Sequence, residues 1–203
     1  MNEYQQEQYD AFQTVICGLG RLSTGEIEGL RQMVQPYLRF RRELDAFQAK
    51  HFAAHCTQQC FRRRLSACCS KDGIVVFFAD VAVNVLDSAV PEIDALVARL
   101  QRPERQDKCI YLGRAGCGWK LRPIVCAMFL CNRVQQEVLA ADPVLQDQWR
   151  AFEARRRAFT WPDRPVLFDA LEQCFLRLGL RSSLMFLNTG PGLLRVKKKA
   201  GLL

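Results

Sequence analysis

Eight of the chain's ten cysteines fall in two short blocks, and any fold must account for them. The first block holds Cys56, Cys60 and the adjacent pair Cys68-Cys69; the second runs from Cys109 through Cys117 and Cys126 to Cys131. The spacings are C-x3-C-x7-C-C and then C-x7-C-x8-C-x4-C. Cysteine is often a small buried hydrophobe, and Cys17 and Cys174, on apolar helical faces, fit that description. The clustered eight do not, because neighbours such as Cys68 and Cys69 cannot both point into one apolar core. Thiolate sulfur is a soft donor suited to zinc and to iron–sulfur clusters. The simplest account is a fold that brings the two blocks together around metal.

The compartment bears on that account. The opening stretch from Met1 to Gln6 has neither a basic nor an apolar region, so no signal peptide is expected. The longest apolar run, from Gly73 to Leu86, is broken by Asp80 and Asn84 and falls short of the roughly 18 residues of a membrane span. A cytoplasmic protein with no membrane partner is expected. In a reducing compartment clustered thiols read as metal ligands rather than disulfides.

The chain between and around the blocks reads as helix. Tyr9, Phe12, Val15, Ile16 and Leu19 form a stripe, with Gly18 and Gly20 ending it. Ser23 and Glu26 have capping-box spacing. The pattern from Leu30 through Tyr37, Leu44 and Phe47 continues toward Phe52, with Pro36 expected to kink or interrupt it. Lys71-Asp72-Gly73 reads as a turn and Ile74-Val75-Val76-Phe77-Phe78 as a strand. Ile93, Leu96, Val97 and Leu100 mark another helix, with Pro91 and Glu92 in its first turn. A polar linker, 102–108, delivers the chain to Cys109. Beyond Cys131 come a helix with Val134, Val138 and Leu139, one with Leu145, Trp149 and Phe152 after Asp142-Pro143, and one from Leu167 to Leu178 closed by Gly179. Asn188-Thr189-Gly190-Pro191-Gly192 precedes a basic tail from Arg195 to Lys199.

With 203 residues, 49% of them hydrophobic, one compact unit is expected. Its parts are a helical lead-in (1–55), a cysteine-cluster region (56–131) and a helical C-terminal part (132–203). The fold class expected is mainly α, helices wrapping a small irregular cysteine-rich core with one or two short strands. The net charge of +8 favours anionic surfaces without identifying nucleic acid. The runs Arg39/Arg41/Arg42, Arg62 to Arg64 and Arg155 to Arg157 read as a solvated, scattered surface, since no aromatics interleave them as stacking platforms. Nucleic acid is thus a partner the sequence allows without favouring, and a protein or redox partner is left unidentified.

Around the second block, Gly116 and Gly118 flank Cys117 and allow backbone amides to point at sulfur. Arg122 is a candidate donor to an anionic thiolate cluster, with Arg114 as further positive charge, and Pro123 stiffens the approach to Cys126. A zinc ribbon has two C-x2-C knuckles and this chain has none, so an iron–sulfur cluster is favoured over zinc. His51 and His55, spaced i,i+4 before Cys56, are reserve ligands. No phosphate-binding loop, Gly-x-Ser-x-Gly elbow or His-Glu-x-x-His motif occurs, so any chemistry would come from the metal.

The element Cys109-x2-Leu112-x3-Gly116-Cys117-x4-Arg122-Pro123-x2-Cys126-x2-Phe129-x-Cys131 resembles the second half of the CxxCxxxCC (YkgJ-type) cysteine-cluster family, described as zinc- or iron-chelating. Cys56, Cys60 and Cys68-Cys69 resemble its first half, here stretched between Cys60 and the pair. The resemblance implies metal binding by Cys56, Cys60, Cys68, Cys69, Cys109, Cys117, Cys126 and Cys131. Eight thiolates exceed what one zinc or one four-iron cluster takes, so either two centres form or some cysteines support without ligating. Three roles follow. One is a metal-binding, electron-transfer or redox module. Another is a metal-dependent methylase using S-adenosylmethionine, similar to flagellin lysine N-methylase. The third is an interaction protein with a structural metal and a basic face.

Overall fold

The computed structural model of the chain describes residues 1–70, 75–104, 107–161, 163–187, 197–198 and 201. Most of the described chain is helical, with one small antiparallel sheet. Helix α1, Glu3–Leu19, is opened by Asn2, whose side chain accepts from the Gln5 amide while Gln5 reaches back to the Asn2 N–H. Helix α2, Thr24–His51, opens on the Ser23/Glu26 capping box expected from the sequence.

Two local expectations are corrected, and of the two outcomes expected at Pro36 the interruption does not occur, since α2 runs through it. Its ring faces solvent, where water can take up the carbonyl left without a donor. Gly18 does not end α1 but lies within it, at a close approach where an added Cβ would stand 2.6 Å from the Phe175 ring. Cys17, expected to be buried, is exposed, and Cys174 is only partly buried.

The expected strand also fails. Lys71 to Ile74 lie outside the described residues; Val75, Val76 and Phe77 are in no strand, and Phe78 opens helix α3, Phe78–Asp87. The Asp80 carboxylate accepts the Phe77 N–H at 3.1 Å and so caps the helix. The composition that suggested a strand reflects burial on every side. Phe77, Ala79, Val83 and Leu86 belong to one core with α2 and the C-terminal helices, while Val76, Phe78, Val81 and Ala82 belong to a second with α1. Helix α3 is thus the post between two cores, packed by α1, α2, and α4 (Val90–Gln101).

After α4 come the strands β1 (Leu112–Gly113) and β2 (Gly116–Cys117), paired Leu112 to Cys117 and Gly113 to Gly116. Short helices α5 (Ile124–Ala127) and α6 (Asn132–Val134) follow, then a π-helical turn, Gln135–Leu139. Helix α7, Pro143–Arg156, is capped by Asp142 at the expected restart, and α8, Leu167–Arg177, ends before Gly179 in the left-handed region at φ 74°. Arg105, Gln106, the Asn188–Gly192 turn and the basic tail, Lys197 and Lys198 excepted, lie outside the described residues. No described helix is long and apolar enough to cross a membrane.

Candidate metal centre

The first cysteine block begins in a π-helical turn, Ala54–Phe61, which carries Cys56 and Cys60. Such turns are rare and recur at functional sites because they shift side chains off the ordinary helical register. The chain then reverses through Arg64 at φ 60° and Ser66 at φ 39°. That reversal folds the Ala67 N–H back onto the Cys60 sulfur at 3.3 Å and brings Cys68-Cys69 over the turn.

Backbone bonds join the two blocks. The Cys109 N–H donates to the Cys69 carbonyl at 3.1 Å, Ser70 and Lys108 form an isolated antiparallel bridge, and the Lys108 ammonium donates to the Leu65 carbonyl at 2.8 Å. The β1–β2 hairpin then sets Cys117 beside Cys109: the Leu112 N–H bonds the Cys109 carbonyl, and Leu112 pairs with Cys117 across the ladder. Gly116 turns the hairpin at φ 115°, which side chains rarely adopt. At Gly118 an added Cβ would push aside the Arg99 guanidinium, which packs over the hairpin and donates to the Tyr111 carbonyl at 3.2 Å.

Helix α3 holds the segment between Cys117 and Cys126. Asn84 accepts the Leu121 N–H at 3.0 Å and donates to the Leu121 carbonyl at 2.9 Å. Asp80 accepts the Ile124 N–H at 3.0 Å. Burial pushes the Asp80 carboxyl up to about 6, against the two amide donors and Arg41 that favour its charge. Asp80 and Asn84, which in the sequence only interrupt an apolar run, are the residues that aim Arg122 and Cys126.

Arg122 sits where both blocks meet. Its guanidinium donates to Gln48 at 2.7 Å and to Asp45 at 3.2 Å, both on α2, and Gln48 in turn donates to the Ala127 carbonyl at 2.6 Å. From there its positive charge acts on Cys56, Cys68, Cys117 and Cys126. Burial pushes the Cys109 and Cys126 thiols up to about 12; Cys56 and Cys117 are raised as well by the protein packed around their sulfurs, although both residues are exposed. Cys68 and Cys69 share a hydrogen bond that lowers the first and raises the second, since one proton serves both sulfurs. Apart from Cys68, the shifted thiols are neutral at pH 7, so a metal entering here must displace protons.

The eight thiols are therefore one electrostatic neighbourhood without meeting at a point. Among the described residues no three Cys, His, Asp or Glu side chains form a group that could hold a metal ion as they stand. A tetrahedral zinc, with Zn–S bonds of about 2.3 Å, needs its sulfurs within about 4 Å of each other.

Two further residues belong to the site and carry no sequence signal. The hydroxyl of Tyr4, on α1, is buried with no hydrogen-bond partner, and the Cys109 and Cys126 thiols are among its electrostatic neighbours. Arg99 reaches Cys117 electrostatically while pairing with Glu104 at 3.4 Å. The reserve histidines are otherwise engaged: His51 packs against Phe47 with ring centroids 4.7 Å apart, and His55 bonds Glu137 at 3.0 Å. Arg114 presents its backbone N–H to Glu104. Of the arginine runs, Arg41 is withdrawn from the surface, 1% exposed and bonded to the Tyr37 hydroxyl. The chain matches no family model, no curated protein and no solved structure.

Proposed function

We propose that the protein holds a thiolate-ligated metal centre, an iron–sulfur cluster in preference to zinc, as a metal-binding or redox module. The carrying observation is the Tyr4 hydroxyl, an orphaned buried donor that feels the Cys109 and Cys126 thiols of the second block electrostatically. A buried donor without an acceptor costs about 1–3 kcal/mol, and an anionic cluster sulfur would supply the acceptor. The amides aimed at Cys60 and Cys109 sulfur are the hydrogen bonds that tune such centres. The resemblance of both blocks to the cysteine-cluster family points the same way.

The reading in which the arginines form one anion-binding face has less support. Arg41 is interior, and Arg155 pairs with Glu43 at 2.7 Å while lying over Phe40 and Phe152.

Anaerobic purification with metal analysis and an absorption spectrum tests the proposal. A brown protein with a broad band near roughly 400 nm, bleached by Cys117→Ser and Cys126→Ser, supports the cluster. A colourless protein holding stoichiometric zinc defeats the iron–sulfur reading, and a folded chain that takes no metal defeats both.

A further inference from the structure

We infer that the loop 62–65, at the lip of the cysteine site, is a docking surface for a protein partner that presents carboxylates around an apolar side chain. The inference does not depend on a metal. It concerns the surface beside the thiols and rests on exposure, charge and backbone geometry.

The arginines make no common face, but this run stands apart from the others. Between Asp45 and Asp72 the sequence has no acidic residue, while it has Lys50, Arg62, Arg63, Arg64 and Lys71. Arg62, Arg63 and Arg64 are all exposed, and among the described residues none of the three pairs with a carboxylate. Elsewhere the surface arginines are answered locally, Arg133 by Glu137, Arg150 by Asp147 and Arg155 by Glu43. Three unanswered like charges on consecutive residues repel one another, and an anion from outside relieves that repulsion.

The loop is held in place by its backbone. The Arg62 N–H donates to the Thr57 carbonyl at 2.9 Å, the Arg64 N–H to the Phe61 carbonyl at 2.8 Å and the Leu65 N–H to the Cys60 carbonyl at 3.0 Å. From the second block the Lys108 ammonium donates to the Leu65 carbonyl at 2.8 Å. With Arg64 in the left-handed region at φ 60°, the chain reverses at the run itself. The backbone that carries the guanidinium groups is therefore preformed, which spares a partner the cost of ordering it.

Leu65 decides the kind of partner. It is 56% exposed, follows the run directly and stands three residues before the exposed Cys68. An apolar residue rimmed by charge has the composition of a protein contact, and arginine forks pair bidentately with carboxylates. Nucleic acid fits less well. From Arg62 to Cys68 there is no aromatic side chain to stack on a base, and a phosphate backbone offers Leu65 nothing apolar to meet.

The test is fluorescence anisotropy of the full chain with a labelled synthetic peptide in which glutamates flank a single leucine. A labelled single-stranded oligothymidylate of equal charge is the comparison. Peptide binding is expected to fall steeply as salt rises, because exposed charges are screened. Arg62→Ala, Arg63→Ala and Arg64→Gly together are expected to weaken it about tenfold, the scale of three exposed ion pairs, with glycine keeping the left-handed backbone. Arg39→Ala, Arg42→Ala and Arg157→Ala together remove the same charge from other exposed positions and are expected to leave the affinity nearly unchanged. Leu65→Ser is expected to weaken peptide binding several-fold with the same salt dependence. Circular dichroism establishes that each variant is folded, and the pair Arg62→Ala and Arg63→Ala replaces the first triple variant if that one is not. Equal losses in the two triple variants, or no salt-dependent binding of the peptide, overturn the docking surface. An oligothymidylate bound more tightly than the peptide through the same three arginines, or an unchanged affinity in Leu65→Ser, overturns its assignment to a protein partner.

Discussion

Asn84 grips Leu121 by both ends of its peptide, accepting the N–H at 3.0 Å and donating to the carbonyl at 2.9 Å. A side-chain amide thus does for this segment what a neighbouring strand would do. The residue after Leu121 is Arg122, so the position of the guanidinium among the thiols follows from a helix post over thirty residues upstream.

Replacing Asn84 by Ala removes both bonds and leaves the Leu121 peptide groups partly buried without partners. The expected loss is about 1–3 kcal/mol of stability, read as a lower midpoint in urea with an unchanged slope. Metal retention should fall with it, because Arg122 and Cys126 lose their anchor.

Arg122→Met keeps the length of the side chain and removes its charge. Asp45 and Gln48 then lose their donor, and the thiols lose the cation that favours their ionised form. A roughly 10–100-fold drop in metal affinity is expected, the scale seen when a residue supporting a metal's ligands is removed. Competition with a chelator measures it, and an unchanged affinity would show that Arg122 serves α2 alone.

Tyr4→Phe separates the metal-free from the metal-loaded protein. Without metal, deleting a buried hydroxyl that has no partner is expected to leave stability unchanged or raise it by about 1 kcal/mol. If the proposed cluster is present, the same change is expected to shift its reduction potential and speed the loss of colour in air, because the hydrogen bond proposed from Tyr4 would be gone. Identical potentials in the two proteins would remove Tyr4 from the site.

Glu172 provides a pH signature away from the cysteines. Burial pushes its carboxyl up to about 8 although both oxygens accept the Phe186 N–H at 3.0 Å. A carboxyl whose folded pKa is raised keeps its proton longer in the folded state than in the unfolded one. Its stabilising contribution is therefore full at low pH and is lost as pH rises from about 4.5 to about 8. Glu172→Gln keeps an acceptor and removes the titration. Relative to wild type, the variant should gain stability by a few kcal/mol at most across that window, in melts taken at a series of pH values. A constant difference from pH 4 to 9 would contradict the assignment.

Gly116→Ala tests the hairpin that places Cys117. At φ 115° an alanine is strained whatever space surrounds it. A cost of about 1 kcal/mol or more is expected, with weakened metal binding, whereas the exposed Gly25→Ala in α2, which would meet nothing within 4 Å, is the comparison expected to cost nothing or to gain up to about 1 kcal/mol.

The amino-acid sequence by itself determined the helices with one wet face. The stripes of α1 and α4, the Ser23/Glu26 cap, the Asp142-Pro143 restart and the Gly179 stop are local signals, each readable within a turn or two of chain. It also determined that the thiols come in two blocks, because cysteine spacing is written along the chain. Helix α3 was not legible, since a helix buried on every side loses the 3.6-residue alternation and its β-branched and aromatic residues imitate a strand. At Pro36 the sequence left a kink or an interruption open, and the exposed place of its ring goes with a helix that runs on. What only the tertiary structure decided is who meets whom. The Cys69–Cys109 backbone bond, Arg122 held by Asp45 and Gln48, Tyr4 set against Cys109, and Asp80 and Asn84 aiming the second block all join residues far apart in the chain. Contacts of that separation depend on how two cores pack about one helix, and no local pattern encodes them.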